Sequence, residues 1–198
     1  MVYDKKFRKW LNTEKVQEMN FWIGAGNWGV ELINKVSEQK FDVQLIKKNE
    51  ANIETILKID YDAFNENLLS NWSLVPYIRY GHVFGLFACN TLKGFAIFVR
   101  DWENPKLAYL VEIAIERESQ GKGYGYYLLL QSLLHLKKNG LSNVVLTVDP
   151  NNSRARHIYC DKFGFEFVEY QKNEYGQGRD RMFLRLDLKN WFSNYHLV

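Results

Sequence analysis

At 198 residues, 46% hydrophobic and 25% charged, the chain is sized for one domain of ordinary dimensions with a substantial core, and little else. Its net charge of +3 comes from dispersed lysines and arginines, not from a basic block, which argues against nucleic acid and against an anionic membrane surface as partners. No apolar run approaches the roughly 20 residues of a membrane helix, and the segment Met1 to Lys9 is charged and unlike a secretion signal, so a cytoplasmic protein is expected.

Cys89 and Cys160 form no spacing pattern and read as reduced thiols. His82, His135, His157 and His196 lack the close His/Cys/Asp spacing of a metal site, so no metal is expected.

In chain order, Met1 to Lys40 reads as a helical extension in two pieces, Lys5 to Met19 and Val30 to Glu38, packed on the core. The break, Gly24-Ala25-Gly26-Asn27-Trp28-Gly29, spells a dinucleotide fingerprint. It lacks the preceding strand of a βαβ unit and a well-placed acidic residue, so it reads as a glycine-rich connection, with Trp22 and Trp28 packing onto the main domain or meeting a second copy in a homodimer.

The main domain spans 41–188. Val43 to Ile46 is a short strand; Asn52 to Phe64 carries Ile53, Ile56, Leu57, Ile59, Ala63 and Phe64 near helical spacing, and a second helix lies within Asn67 to Ile78. Val83 to Cys89 and Phe95 to Arg100 form a hairpin around a loop Asn90 to Gly94. A strand, Leu107 to Ile115, then leads into Gln120-Gly121-Lys122-Gly123-Tyr124-Gly125, which opens a helix over Tyr126 to Lys138 that stops at Asn139-Gly140. Val144 to Val148 is a buried-type strand, Ser153 to Phe163 a short helix ended by Gly164, and Phe165 to Glu169 with Met182 to Leu186 an antiparallel pair around the loop Asn173 to Asp180. The tail, 189–198, packs through Trp191 and Phe192.

Glycines between a strand and a helix admit positive φ and a close backbone approach, and the N–H groups of the first helical turn point at any anion placed there. The segment from Gln120 to Gly125 is therefore a phosphate cradle. A second cluster follows one helix and one strand later, from Asn151-Asn152-Ser153 through Ala155, Ile158 and Tyr159 to Gly164-Phe165.

Together the two clusters resemble the GNAT superfamily of acyl-CoA-dependent N-acyltransferases, whose cofactor loop reads Gln/Arg-x-x-Gly-x-Gly/Ala and whose next helix carries Asn-x-x-Ala-x-x-aliphatic-Tyr and ends in Gly-Phe. The match is sharp over Val111 to Phe165 and holds by element order over Phe41 to about Leu188. The resemblance implies an α+β fold: a mixed, mostly antiparallel sheet of about six or seven strands with helices on both faces. It further implies that the strand of Leu110 to Ile115 parts from that of Val144 to Val148. The backbones of Ile113, Ala114 and Ile115 would then grip the pantetheine arm of acetyl-CoA, and Gln120, Gly121, Lys122, Gly123, Tyr124, Gly125 and Tyr126 would offer amides to the pyrophosphate. The side chains of Tyr124 and Tyr126 would cover the cofactor or pack beside the helix.

Two proton transfers define the expected chemistry. An alkyl ammonium is free amine in only about one molecule in a few thousand at pH 7, so a base must act before the amine attacks the thioester, and the departing thiolate must then be protonated. By resemblance Tyr159 is the general acid, and Asn152 bonds the pantetheine amides, caps its helix, or both. Glu112 is the candidate base: strand alternation sets Leu110, Glu112 and Ala114 on one face, leaving a carboxylate among apolar neighbours, with Tyr109 and backbone-held water as rivals. The acceptor, a primary amine, would meet Phe64 to Tyr80 and Asn173 to Asp180, which hold Asn65, Glu66, Asn67, Trp72, Tyr77, Arg79, Tyr80, Glu174 and Tyr175; core packing is the expected role of most of these aromatics. The expected activity is acetyl transfer to a small metabolite amine, with peptides as alternative acceptors and a non-catalytic acyl-CoA sensor as the reading of another class.

Overall fold

The computed structural model describes residues 41–47, 53–66 and 68–191. The extension 1–40, Asn52, Asn67 and Phe192 lie outside the described residues. The elements in order are β1 (Phe41–Leu45), α1 (Ile53–Phe64), α2 (Asn71–Tyr80), β2 (His82–Ala88), β3 (Thr91–Arg100) and β4 (Leu107–Ile115). A 3-10 turn (Arg117–Ser119) leads to α3 (Tyr124–Lys138) and β5 (Asn143–Val148). Then come α4 (Ser153–Arg156), continued by a π-helical turn (His157–Lys162), β6 (Glu166–Gln171) and β7 (Arg181–Asp187).

The seven strands form one sheet in the order β1-β2-β3-β4-β5-β7-β6, antiparallel at every step except the parallel β4–β5 pair. On one face α1 and α2 set Ile56, Ile59, Leu74 and Ile78 against Val83, Phe95, Ile97 and Ala114. On the other, Leu128, Leu129, Leu133 and Leu136 of α3 pack with Phe84, Phe98, Leu110, Val144 and Leu184. The α+β architecture with helices on both faces is as the sequence indicates.

Two local departures have physical causes. The β2–β3 hairpin turns on Cys89 and Asn90 alone, both at positive φ (47° and 66°), as a two-residue type I′ turn requires. Gly94 is therefore not a turn residue. It lies in β3, where an added Cβ would come 2.3 Å from Ile115 Cδ1 and 2.7 Å from the Ala114 carbonyl oxygen, so it is glycine because the end of β4 lies against it. Helix α2 starts at Asn71 because Ser70 and Ser73 form a reciprocal capping box.

A β-bulge in β4 is the third departure, and it bears on the site. Ile97 pairs with Glu112 but Phe98 pairs with Leu110, leaving Val111 as the extra residue. Simple alternation would place Leu110 with Glu112 and Ala114. Instead Ala108 and Leu110 join the α3 face, Ile113 and Ile115 return to it after the bulge, and Ala114 joins the α1–α2 face.

Candidate active site

Strands β4 and β5 pair only from Leu107 to Leu110 and from Asn143 to Leu146. Beyond that point β4 continues to Ile115 with β3 on one side and, among the described residues, no strand on the other. Val111 to Ile115 therefore lie along an edge that β5 leaves uncovered, where an extended chain can add as a strand beside Ile113 and Ala114, while the Ile115 carbonyl is already taken by the Gln120 side chain. The loop after β4 closes this opening. Gly121 and Gly123 adopt positive φ (75° and 84°), and among the described residues the amides of Gly121, Lys122, Gly123 and Gly125 have no internal acceptor. The first helical bond of α3 runs from the Tyr127 amide to the Gly123 carbonyl, 3.0 Å. This is a nest of donors at the N-terminus of a 15-residue helix, suited to a diphosphate.

Gln120 has a different place from its neighbours. Its side-chain Nε2 donates to the Ile115 carbonyl at 3.0 Å and its amide to the Arg117 carbonyl at 3.3 Å, so it braces the loop against the end of β4. The tyrosine rings turn inward: Tyr124 packs on Phe41 (centroids 4.4 Å apart) and Tyr126 on Phe163 (4.7 Å). Lys122 is exposed, beside a depression of about 270 Å³ lined also by Lys93, Glu116 and Glu118.

Asn152 Oδ1 accepts from the Ala155 amide at 3.0 Å, a cap that starts α4. One α-helical turn later the chain widens into the π-turn His157–Lys162, in place of the uniform helix expected over Ser153 to Phe163. A π-turn shifts the phase of the residues it carries and recurs at functional sites. Here Ala155, Ile158, Tyr159 and Cys160 all pack against the core. The Tyr159 ring meets Phe165 edge-on at 5.7 Å, burial pushes its phenol up to about 12, and its hydroxyl has no hydrogen-bond partner among the described residues. Such a group is protonated at neutral pH and free to donate.

Glu112 is 9% exposed, and burial, helped by the charge of Asp60 and a hydrogen bond to it, pushes its carboxyl up to about 9. Asp60 is a residue the sequence reading passed over. It lies on α1, fully buried, four positions after Ile56 on the apolar face, and that placement of an acid inside an apolar stripe was the available signal. Its Oδ2 accepts from the amides of Leu68 (3.1 Å) and Leu69 (2.9 Å) in the α1–α2 connection. Tyr109 lies apart from this pair. Its hydroxyl bonds Thr147 Oγ1 (2.9 Å) and the Tyr175 hydroxyl (2.8 Å), and burial holds its phenol above the usual range.

The two expected acceptor segments do meet. Arg179 Nη2 lies 3.5 Å from Glu66 Oε2, and Tyr175 reaches from the β6–β7 loop to Tyr109 and Thr147 where β4 and β5 part. Arg181 stacks over the Tyr175 ring at 4.8 Å. Asn65 is held by Arg117 at 3.5 Å, Tyr77 packs partly into the core, and Arg79 and Glu174 are exposed. Trp72 and Tyr80 are 91% and 84% exposed, contrary to a packing role. Among the described residues no helix is long and apolar enough to cross a membrane, and no cluster of three His, Cys, Asp or Glu could hold a metal.

Residues 51–165 match the model of the acetyltransferase (GNAT) family. Mycothiol acetyltransferase of Rhodococcus erythropolis is 31% identical over 80 residues, 39% of this chain and 26% of that protein. The ribosomal protein bS18-alanine N-acetyltransferase of Haemophilus influenzae is 38% identical over 86 residues, 43% of this chain and 56% of that one. The chain thus spans only about a quarter to a half of these relatives' length. Among solved structures, the ribosomal-protein-S18-alanine N-acetyltransferase of Escherichia coli shares the fold at TM-score 0.65 and 20% identity over 75% of this chain and 94% of its own. A Bacillus subtilis acetyltransferase in complex with CoA does so at TM-score 0.61 and 20% identity, over 75% and 99%. With the split strands, the amide nest and the family model in agreement over the same residues, the chain belongs to the acetyltransferase (GNAT) family.

Proposed function

We propose that the protein transfers an acetyl group from acetyl-CoA to a primary amine of a small metabolite. The observation that carries this reading is the continuity of two backbone features: the edge of β4 that β5 leaves uncovered from Val111 leads into the amides of Gly121, Lys122, Gly123 and Gly125, which have no internal acceptor among the described residues. An extended amide-bearing arm that terminates in a diphosphate satisfies both, and acetyl-CoA has that form. The site fits the donor with no covalent role for an enzyme side chain.

The amine attacks the thioester carbon, backbone donors of β4 stabilise the oxyanion, and Tyr159 protonates the leaving thiolate. Glu112 receives the proton of the acceptor ammonium. With its carboxyl pushed up to about 9, it is ionised in about one molecule in a hundred at pH 7, so the rate it supports rises with pH.

A peptide N-terminus is the second reading. It is favoured by the likeness over 86 residues to an enzyme named for the alanine of ribosomal protein bS18. Titration calorimetry with CoA and acetyl-CoA, followed by assay of free thiol on adding polyamines, amino acids, aminoglycosides or Ala-initiated peptides, separates the readings. Thiol release with free amines supports the first, and release with peptides alone the second. Binding without release would leave an acyl-CoA sensor, and absence of binding would overturn the cradle.

A further inference from the structure

Asp60 of α1 and Glu112 of β4 are close enough for a side-chain hydrogen bond. Asp60 shares the buried face of α1 with Ile56 and Ile59, and Glu112 pairs across the sheet with Ile97; these three apolar residues belong to one cluster with Leu69, Leu74 and Ala114. Asp60 is fully buried and Glu112 nearly so. Asp60 Oδ1 and Glu112 Oε1 are both sealed from solvent with no hydrogen-bond partner when each is drawn as a carboxylate, and no cation pairs with either among the described residues. Two unpaired negative charges side by side in such a setting repel each other and forgo hydration, whereas one proton held between the carboxyl groups removes a charge and gives both oxygens a partner.

We propose that Asp60 and Glu112 form a single proton-sharing carboxyl pair in which Asp60 is the positioning residue. The amides of Leu68 and Leu69 already donate to Asp60, so Asp60 is the acceptor of the shared proton and Glu112 its donor. The same two bonds tie the pair to the α1–α2 connection, one turn of chain from Glu66 and its contact with Arg179. Among the described residues, Glu54, Lys58 and Asp62 on α1, Arg79 on α2, Lys93 and Arg100 on β3 and Tyr109 on β4 do not add to the rise of the Glu112 carboxyl, and Asp60 is the charged group that does.

The inference rests on the reading of Glu112 as base for its catalytic consequence, though not for the shared proton. Loss of the shared proton is what arms the pair: once Glu112 is ionised it takes a proton from an acceptor ammonium through water, the pair goes from two negative charges to one, and the amine is left neutral. By holding the shared proton on Glu112, Asp60 sets the pH at which Glu112 becomes a base.

Carboxyl carbon NMR of the full chain labelled at Asp and Glu tests the pair directly, with the wild-type protein, Asp60→Asn and Glu112→Gln titrated beside pH profiles of kcat/KM. The expected result is a Glu112 carboxyl protonated at pH 7, whose midpoint falls by about one pH unit or more in Asp60→Asn, with the acidic limb of the profile following it. A Glu112 carboxyl ionised at pH 7 in the wild-type protein overturns the proposal whether or not either variant folds, as does an unmoved midpoint in Asp60→Asn. A midpoint that moves while the limb survives Glu112→Gln upholds the shared proton and removes Glu112 as base.

Discussion

Tyr159 and Glu112 are both protonated at neutral pH, Tyr159 as any phenol is and Glu112 because it is buried beside Asp60, and each makes a separable prediction. The Tyr159 hydroxyl has no partner among the described residues, so its loss leaves no polar group stranded. Tyr159→Phe should therefore keep its melting temperature and its affinity for CoA while kcat falls by about 10² or more; an unchanged kcat in steady-state assays would remove Tyr159 as the acid. For Glu112 the carboxyl rises from 4.5 to about 9 on folding. The folded state therefore binds the proton more tightly than the unfolded state, and the stabilisation is complete below 4.5 and lost as pH rises through about 9. Denaturant titrations across that window should show stability declining with pH in the wild-type protein and a flatter profile in Glu112→Gln.

At the scale of elements, glycines in the cradle and in β3 answer to different neighbours. Gly125 lies in the first turn of α3, and an added Cβ would meet only Ile115 Cγ1, at an ordinary 3.5 Å. Gly125→Ala should leave stability unchanged or raise it by up to about 1 kcal/mol, since alanine loses less entropy in a helix. Its methyl would point at Ile115, and the cofactor loop of the family admits alanine at this position, so calorimetry should show unaltered CoA binding; a loss of affinity would mean that the ligand meets the methyl. Gly94→Ala is the contrast: its methyl collides with Ile115 and the Ala114 carbonyl, and a loss of about 1–3 kcal/mol in denaturant titration is expected from the overpacking.

Across the whole molecule, the site is assembled from both ends of the sheet. The β6–β7 loop crosses to the α1–α2 connection through Arg179 and Glu66, and to the parting of β4 and β5 through Tyr175. Both ionic partners are more than half exposed, so Glu66→Gln should change stability by less than about 1 kcal/mol. Tyr175→Phe removes one hydroxyl of the cluster with Tyr109 and Thr147 and should raise KM for the acceptor without altering CoA binding. An unchanged KM would place the acceptor elsewhere. Trp191 is buried against Phe163, whose carbonyl accepts from its Nε1 at 2.8 Å.

Local patterns in the sequence determine most of this. Apolar and alternating runs give β4, β5 and β7, helical spacing gives α1 and α3, and glycines after an apolar strand give a donor nest, because each depends on residues near one another in the chain. Tyr159, Gly121 and Gly123 were legible for that reason. What tertiary structure decided are relations between distant segments. The bulge at Val111 exists only by register against β3, so the face on which Glu112 emerges was open to misreading. Gly94 looks like a turn residue until β4 is laid beside it. Asp60 is a polar position in an apolar stripe until the fold sets Glu112, 52 residues on, against it, and only then do two acids become one site.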